Sequence, residues 1–271
     1  TVTVCSLVIA LPVAWLTTST NVPMGKLLGV LLALPLVIPS YVGGFLVIIV
    51  LGPKGFMQDV LESAFGLDRL PDLYGLFGAT LVLSLLSYPY ILLTVKASLA
   101  NLDPALEEAA TTLKAGFWKT KFRIVLPQLR PAIVSGSLLV GLYTLSDFGA
   151  VSLLRYKTFT WAIYQQYENS FDRSIAALLS LILVGIALLI LLLEAYYRGK
   201  PRYSKIGSGT ARVPSIVVLG SWKWIAFGFC MILMVTSLIM PMSVLVYWMI
   251  RGILSGEDLV ALWVPTLNSL T

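Results

Sequence analysis

The sequence predicts an all-α, polytopic helical membrane protein with six transmembrane helices, the first of them truncated. Three observations predict it. Hydrophobic residues make up 58% of the 271 residues and charged residues only 12%, where a soluble domain carries about 25% charge. Six apolar runs have, or nearly have, the roughly 20 residues that a helix needs to cross about 30 Å of hydrocarbon. Continuous runs such as Leu178 to Leu193 show no two-residue alternation, so they are helices rather than barrel strands. With a mean hydropathy of +0.90, this composition excludes a soluble globular protein, a disordered chain and a nucleic-acid binder.

The spans are expected at 1–16, 27–51, 76–95, 131–154, 174–194 and 223–250. The chain opens at Thr1 inside an apolar run and reads as a fragment. That run has no basic segment before it and no small-residue cleavage site after it, which argues against a signal peptide. Pro35, Pro39, Pro89 and Pro241 are expected to kink their helices, and Gly43 with Gly44 permits close helix approach. Segment 52–75 carries an amphipathic run from Met57 to Phe65, suited to receiving a binding protein or to lying flat on the membrane. Composition changes abruptly over 195–222, where Arg198, Lys200, Arg202 and Lys205 mingle with Gly207 and Gly209. The chain is therefore divided into a first transmembrane domain (1–200), a linker (201–222) and the start of a second domain (223–271).

Charge sets the expected orientation. Loops 17–26, 96–130 and 195–222 with its flank hold Lys26, Lys96, Lys114, Lys119, Lys121, Arg123 and Arg130, then Arg198, Lys200, Arg202, Lys205, Arg212 and Lys223. The alternate loops hold fewer bases and eight acids, among them Asp59, Glu62, Asp68 and Asp72. Positive loops stay inside, so 96–130 and 195–222 are expected to be cytoplasmic. The isoelectric point near 9.3 then reflects loop bias and not a nucleic-acid footprint. His is absent and the two cysteines, Cys5 and Cys230, lie in apolar runs. No histidine metal site, zinc knuckle or disulfide framework is therefore expected.

The loop 96–130 carries most of the information. Asp103 is an expected N-cap and Pro104 occupies the favoured first helical position, so a short helix should run to about Leu113. Its apolar stripe is Leu106, Ala109, Ala110 and Leu113. Gly116 offers a break, and Phe117 to Val125 should form a second short helix that stops before Pro127. Two readings fit. The small residues admit a partner's backbone while Phe117 and Trp118 fill a pocket in it; or the helix lies on the membrane through Lys119, Lys121 and Arg123. Glu107 and Glu108 weigh against an anionic membrane face.

Glu108-Ala109-Ala110, then Ile124-Val125-Leu126-Pro127, resembles the EAA loop of ABC importer permeases. In that family Glu-Ala-Ala is followed by three residues, Gly, nine residues and Ile-x-Leu-Pro. The spacing agrees, with Lys114 standing where the family usually has Gly, and Gly116 two residues later. The wider chain is similar to permeases of ferric-iron importers over most of 1–200, including Ala10 to Trp15, Leu36 to Tyr41 and Leu145 to Leu154. Asn268 to Leu270 resembles the entry to the second helix of a second permease half.

The resemblance implies a membrane subunit of a binding-protein-dependent ABC importer in the bacterial inner membrane, with ferric iron as cargo. The same machinery in other relatives carries thiamine, phosphonate, sulfate or polyamine. It also implies docking of the loop, through Glu107, Glu108, Ala109, Ala110, Lys114, Gly116, Phe117, Trp118, Ile124, Leu126 and Pro127, onto a separate dimeric ATPase. No Gly-x-x-x-x-Gly-Lys-Ser/Thr run occurs, so no cofactor is expected on this chain, and ATP and Mg would reside on that partner. Further partners implied are a periplasmic substrate-binding protein, a second permease half and membrane lipid.

Asp147 is the one acid well inside an apolar run. It is either a pathway residue attracting a cation, or a helix-end residue bonded to Ser146 or a neighbouring helix. Tyr41, Tyr88, Tyr90 and Tyr143 supply phenolic oxygens suited to ferric iron, and equally to packing or an interfacial belt. A metal site is not assigned. An ion-coupled secondary transporter would want ionisable residues in several spans, and an intramembrane enzyme an acid–base or metal pair. The spans show neither.

Overall fold

The structure, a computed structural model, describes residues 1–52, 72–102, 116–169, 173–198 and 216–256, with Gly55, Gln58, Glu62, Leu267 and Asn268. Its helices are α1 (Val2–Ser19), α2 (Gly25–Leu31), α3 (Ser40–Leu51), α4 (Leu76–Ala100), α5 (Leu126–Ser146), α6 (Gly149–Leu153), α7 (Phe159–Asn169), α8 (Ser174–Arg198), α9 (Trp222–Met234) and α10 (Met240–Leu254). Among the described residues five stretches are long and apolar enough to cross a membrane, and α2 with α3 makes a sixth if that bent pair counts as one span. The chain is a multi-pass helical membrane protein.

α4 is the axis of the bundle. It packs between α1 and α5 and also touches α3, and Val82, Leu83, Ile91, Leu92 and Val95 are fully buried along it. In lipid the apolar faces gain little from association, so close backbone approach and hydrogen bonds must hold helices together. Both are present. Thr1 and Thr80 hydroxyls lie 3.4 Å apart, Ser84 Oγ donates to the Val2 carbonyl, and Ser6 and Ser87 hydroxyls meet at 3.2 Å. This ladder runs α1 and α4 in the same direction. On the other side Gly136 of α5 faces Ile91 and Thr94 so closely that a Cβ there would stand 2.8 Å from the Ile91 Cα.

Loop placement follows from that arrangement. Lys96 reaches over Gly29. Asn21 N–H donates to the Val217 carbonyl, Val217 N–H to the Ser19 carbonyl, and Leu219 N–H to the Asn21 side chain. The loops after α1, after α4 and before α9 therefore share one end of the molecule. At the other end Gly75 N–H donates to the Leu154 carbonyl at 2.7 Å, which ties the start of α4 to the turn after α6. The described parts of the two loop sets separated by charge in the sequence lie at the two ends of the bundle.

Three span expectations need correction. The run 27–51 is not one kinked helix but two helices bent by 100° around a 3-10 turn at Leu34–Val37. Pro35 and Pro39 lack the N–H that an uninterrupted helix requires. The Leu32 carbonyl, orphaned because Leu36 N–H turns to Ala33, accepts the Tyr88 hydroxyl at 2.7 Å. The run 131–154 starts earlier and ends at Asp147, where the backbone turns extended before α6. The helix over Phe117 to Val125 does not stop before Pro127; it passes through a π turn at Lys121–Val125 into α5. The Leu126 N–H reaches back to the Lys121 carbonyl, and the widened turn spares the Pro127 ring its collision with the preceding turn. Met240-Pro241 repeats the device, with a π turn at Val235–Ile239 between α9 and α10. α4 runs unbroken through Pro89. Gly43 and Gly44 face Leu86 and Ala150 closely, as the sequence anticipates.

Candidate functional site

Two places carry the residues singled out in the sequence. The first is the end of the bundle where α5 begins. Glu107, Glu108, Ala109, Ala110 and Lys114, with the helix expected from Pro104, lie outside the described residues, as does the run Met57 to Phe65 apart from Gln58 and Glu62. Gly116 is exposed, and its carbonyl accepts the Thr120 N–H at 3.0 Å, opening the helical turn Phe117–Thr120. From there the backbone is continuous to Ser146, so the loop's second half is the stem of a span. The stem has two faces. Thr120, Val125 and Leu129 are buried, and Ile124, Leu126 and Pro127 are half-buried. Lys119, Phe122 and Arg123 are exposed, Phe122 at 62%. Sequence reading missed Phe122. The signal was its position within the basic run Lys119, Lys121 and Arg123, where a large aromatic has no membrane-span reason to be.

The second place is the joint after α5. Asp147 is 7% exposed and its Oδ1 accepts the Ala150 N–H at 3.1 Å. Its carbonyl accepts the Thr160 hydroxyl at 2.8 Å. The carboxylate thus satisfies one of the first amides of α6, that of Ala150, in the manner of a cap. This is the helix-end reading, with Ala150 as partner rather than Ser146. Ser146 is exposed and donates to the Tyr143 carbonyl of its own helix.

The tyrosines do not form one group. Tyr90 and Tyr143 stack with ring centroids 5.6 Å apart. Tyr88 projects elsewhere, as its two-residue offset from Tyr90 on a helix requires. It is fully buried, bonded to Leu32 and 3.4 Å from the Ser237 hydroxyl. Tyr41 is exposed, its Cβ packed toward Gly149. Among the described residues no three His, Cys, Asp or Glu side chains gather as a metal site would require. Chemically the joint offers neutral hydroxyls beside a carboxylate already engaged by backbone.

A family model described as the binding-protein-dependent transport system inner membrane component matches residues 6–203. The chain belongs to this family. Among curated relatives, the Fe(3+)-transport system permease protein FbpB 2 of Haemophilus influenzae is 38% identical over 224 residues, 82% of this chain and 40% of that protein. The molybdenum transport system permease protein ModB of Escherichia coli is 32% identical over 68% of this chain and 81% of its own length. A probable sulfate transport system permease of Chlorokybus atmophyticus is 27% identical over 66% of this chain and 63% of its own length. The chain thus spans well under half of the ferric relative. A crystal structure of a bacterial alginate ABC transporter, in complex with an alginate pentasaccharide-bound periplasmic protein, matches with a TM-score of 0.57 at 20% identity. The match covers 73% of this chain and 75% of that one; it shows the fold. The family is an inner membrane component of transport systems.

Proposed function

We propose that this chain is the membrane-spanning permease part of an ATP-driven, binding-protein-dependent importer whose cargo is ferric iron. The family match over 6–203 carries the class of machine. Iron rests on the 38% identity to a ferric permease; molybdate and sulfate permeases among the relatives make those oxyanions the competing cargoes. Residues 223 onward begin a second permease half.

The loop 96–130 is the handle of a separate ATPase, on the cytoplasmic side as the charge bias requires. Support comes from the continuous helical stem. A push on the segment before Phe117 acts on α5 directly, and α5 packs on the axial helix α4, so ATPase closure moves the bundle as a rigid body. On this reading Glu108, Ala109 and Ala110 set the docking face, and Phe122 joins Phe117 and Trp118 as an aromatic anchor, the residue type that dominates interface energy.

The test is uptake by cells carrying or lacking the complete gene, with labelled ferric iron, molybdate and sulfate offered separately. Loss of iron uptake alone is the expected result. Loss of oxyanion uptake with iron unchanged overturns the cargo, and no loss of any of the three, with the ATPase absent from pull-downs, overturns the machine.

A further inference from the structure

Beside the joint, α7 and α8 enclose a groove of about 570 Å³ lined by Phe148, Tyr164, Tyr167, Ala176, Ala177 and Leu183, with Arg173 at its edge. Its wall on α8 is built by small side chains. Ala176, Ala177, Ser180 and Leu183 follow one helical stripe over a rise of about 10 Å. Among the described candidate spans α8 has the highest mean hydropathy, and almost none of it is buried inside the molecule. The groove therefore opens into hydrocarbon along its length and reaches the membrane surface at the first turn of α8.

Arg173 stands at that surface. Its guanidinium lies 4.7 Å from the Tyr167 ring centroid, and among the described residues no carboxylate pairs with it. Stacking engages the faces of a guanidinium and leaves its in-plane donors for an oxyanion. The amides opening a 25-residue helix add positive potential at the same level. Arg155 over Tyr74, Lys157 over Trp161 and Arg251 over Trp248 repeat the pairing at this end of the bundle. Those pairs mark the interfacial level, and Arg173 also lines the apolar groove.

We propose that this groove binds one anionic phospholipid, its phosphate on Arg173 and an acyl chain along Ala176 to Leu183. The pairing of an apolar slot open to lipid with a cation at its mouth is what selects such a molecule over a peptide, whose backbone amides the groove has few groups to satisfy. Phe148 and Thr160 line the groove as well, the one a neighbour of Asp147 and the other its hydroxyl partner, so the lipid abuts the joint that ends α5.

The experiment is native mass spectrometry of the complete protein, assembled with its partners and released from vesicles of phosphatidylglycerol and phosphatidylcholine. The wild type retains one phosphatidylglycerol in preference to phosphatidylcholine. Arg173→Gln, at an exposed position, lowers that retention about fivefold, the share one basic residue supplies at an anionic surface. Ala177→Trp, which fills the slot, abolishes it, and Lys157→Ala leaves it unchanged. Equal retention of the two lipids, or wild-type retention by Arg173→Gln, overturns the proposal. So does an assembled complex that retains none, since a protein then covers the groove. Transport plays no part in the readout, so this proposal and the importer reading fail separately.

Discussion

Replacing Asp147 by Asn keeps an oxygen that accepts the Ala150 N–H and deletes the charge; replacing it by Leu deletes both. The geometry assigns the carboxylate to backbone, so Asp147→Asn should retain uptake and thermal stability close to wild type. Asp147→Leu leaves a buried amide without an acceptor, at a cost of about 1–3 kcal/mol, and should melt several degrees earlier in detergent. Abolished uptake in a normally folded Asn variant would instead make Asp147 a cation site. Tyr88 offers a parallel case. Its hydroxyl serves the Leu32 carbonyl that the proline break orphans, so Tyr88→Phe should lower the melting temperature although the ring still fills its site. The magnitude should be about 1 kcal/mol, since hydrogen bonds within membrane bundles are modest. Tyr143→Phe, at a half-buried site, should cost less, and equal melting of all three proteins would remove the role given to Tyr88.

At the scale of elements, glycine contacts and proline breaks decide the packing. A Cβ at Gly136 would meet the Ile91 Cα at 2.8 Å and the Thr94 hydroxyl at 2.5 Å, whereas Gly141 on the same helix has open space. Backbone on a helix cannot yield as a side chain tip can, so Gly136→Ala should destabilise by about 1–3 kcal/mol. Gly141→Ala should be neutral or slightly stabilising. Thermal melting of the pair checks this, and equal melting would mean that α4 and α5 do not pack through Gly136. Pro127→Ala removes the reason for the π turn. Reverting five residues to regular helix rotates the stem by about 100° relative to α5, carrying Lys119, Phe122 and Arg123 away from their present face. Folding should survive while ATPase co-purification falls; unchanged co-purification would detach the stem's orientation from docking. The spans themselves were legible, because composition and length answer directly to bilayer thickness. Their interruptions were not. Pro35 and Pro39 signal a kink, but a 100° bend rather than a tilt depends on a distant tyrosine satisfying Leu32. Pro127 reads as a helix stop because a π turn has no sequence signature of its own. Asp147 was legible as a problem, and its solution required knowing that α6 begins two residues later.

For the whole molecule, the charge pattern and the packing make separate statements that one labelling experiment can divide. Packing places Asn21, Asn101, Lys119 and Ser221 at one end of the bundle and Tyr74, Lys157 and Ser255 at the other. This follows from the parallel course of α1 and α4, the reversal into α5 and the bonds joining Asn21 to residues 217 and 219. Charge alone says which end faces the cytoplasm. In a variant lacking Cys5 and Cys230, single cysteines at Asn101, Lys119 and Ser221 should react with an impermeant maleimide only in inverted vesicles. Cysteines at Lys157 and Ser255 should react only in right-side-out ones. Agreement within each set tests the bundle, because helices of fixed direction cannot deliver one member of a set to the wrong face. The side on which the first set reacts tests the machine, because an ATPase that draws on cellular ATP must meet its handle in the cytoplasm. Reaction of Lys119 and Lys157 from the same side would break the fold as described. A clean reversal of both sets would leave the fold intact and put the stem of α5 out of any ATPase's reach.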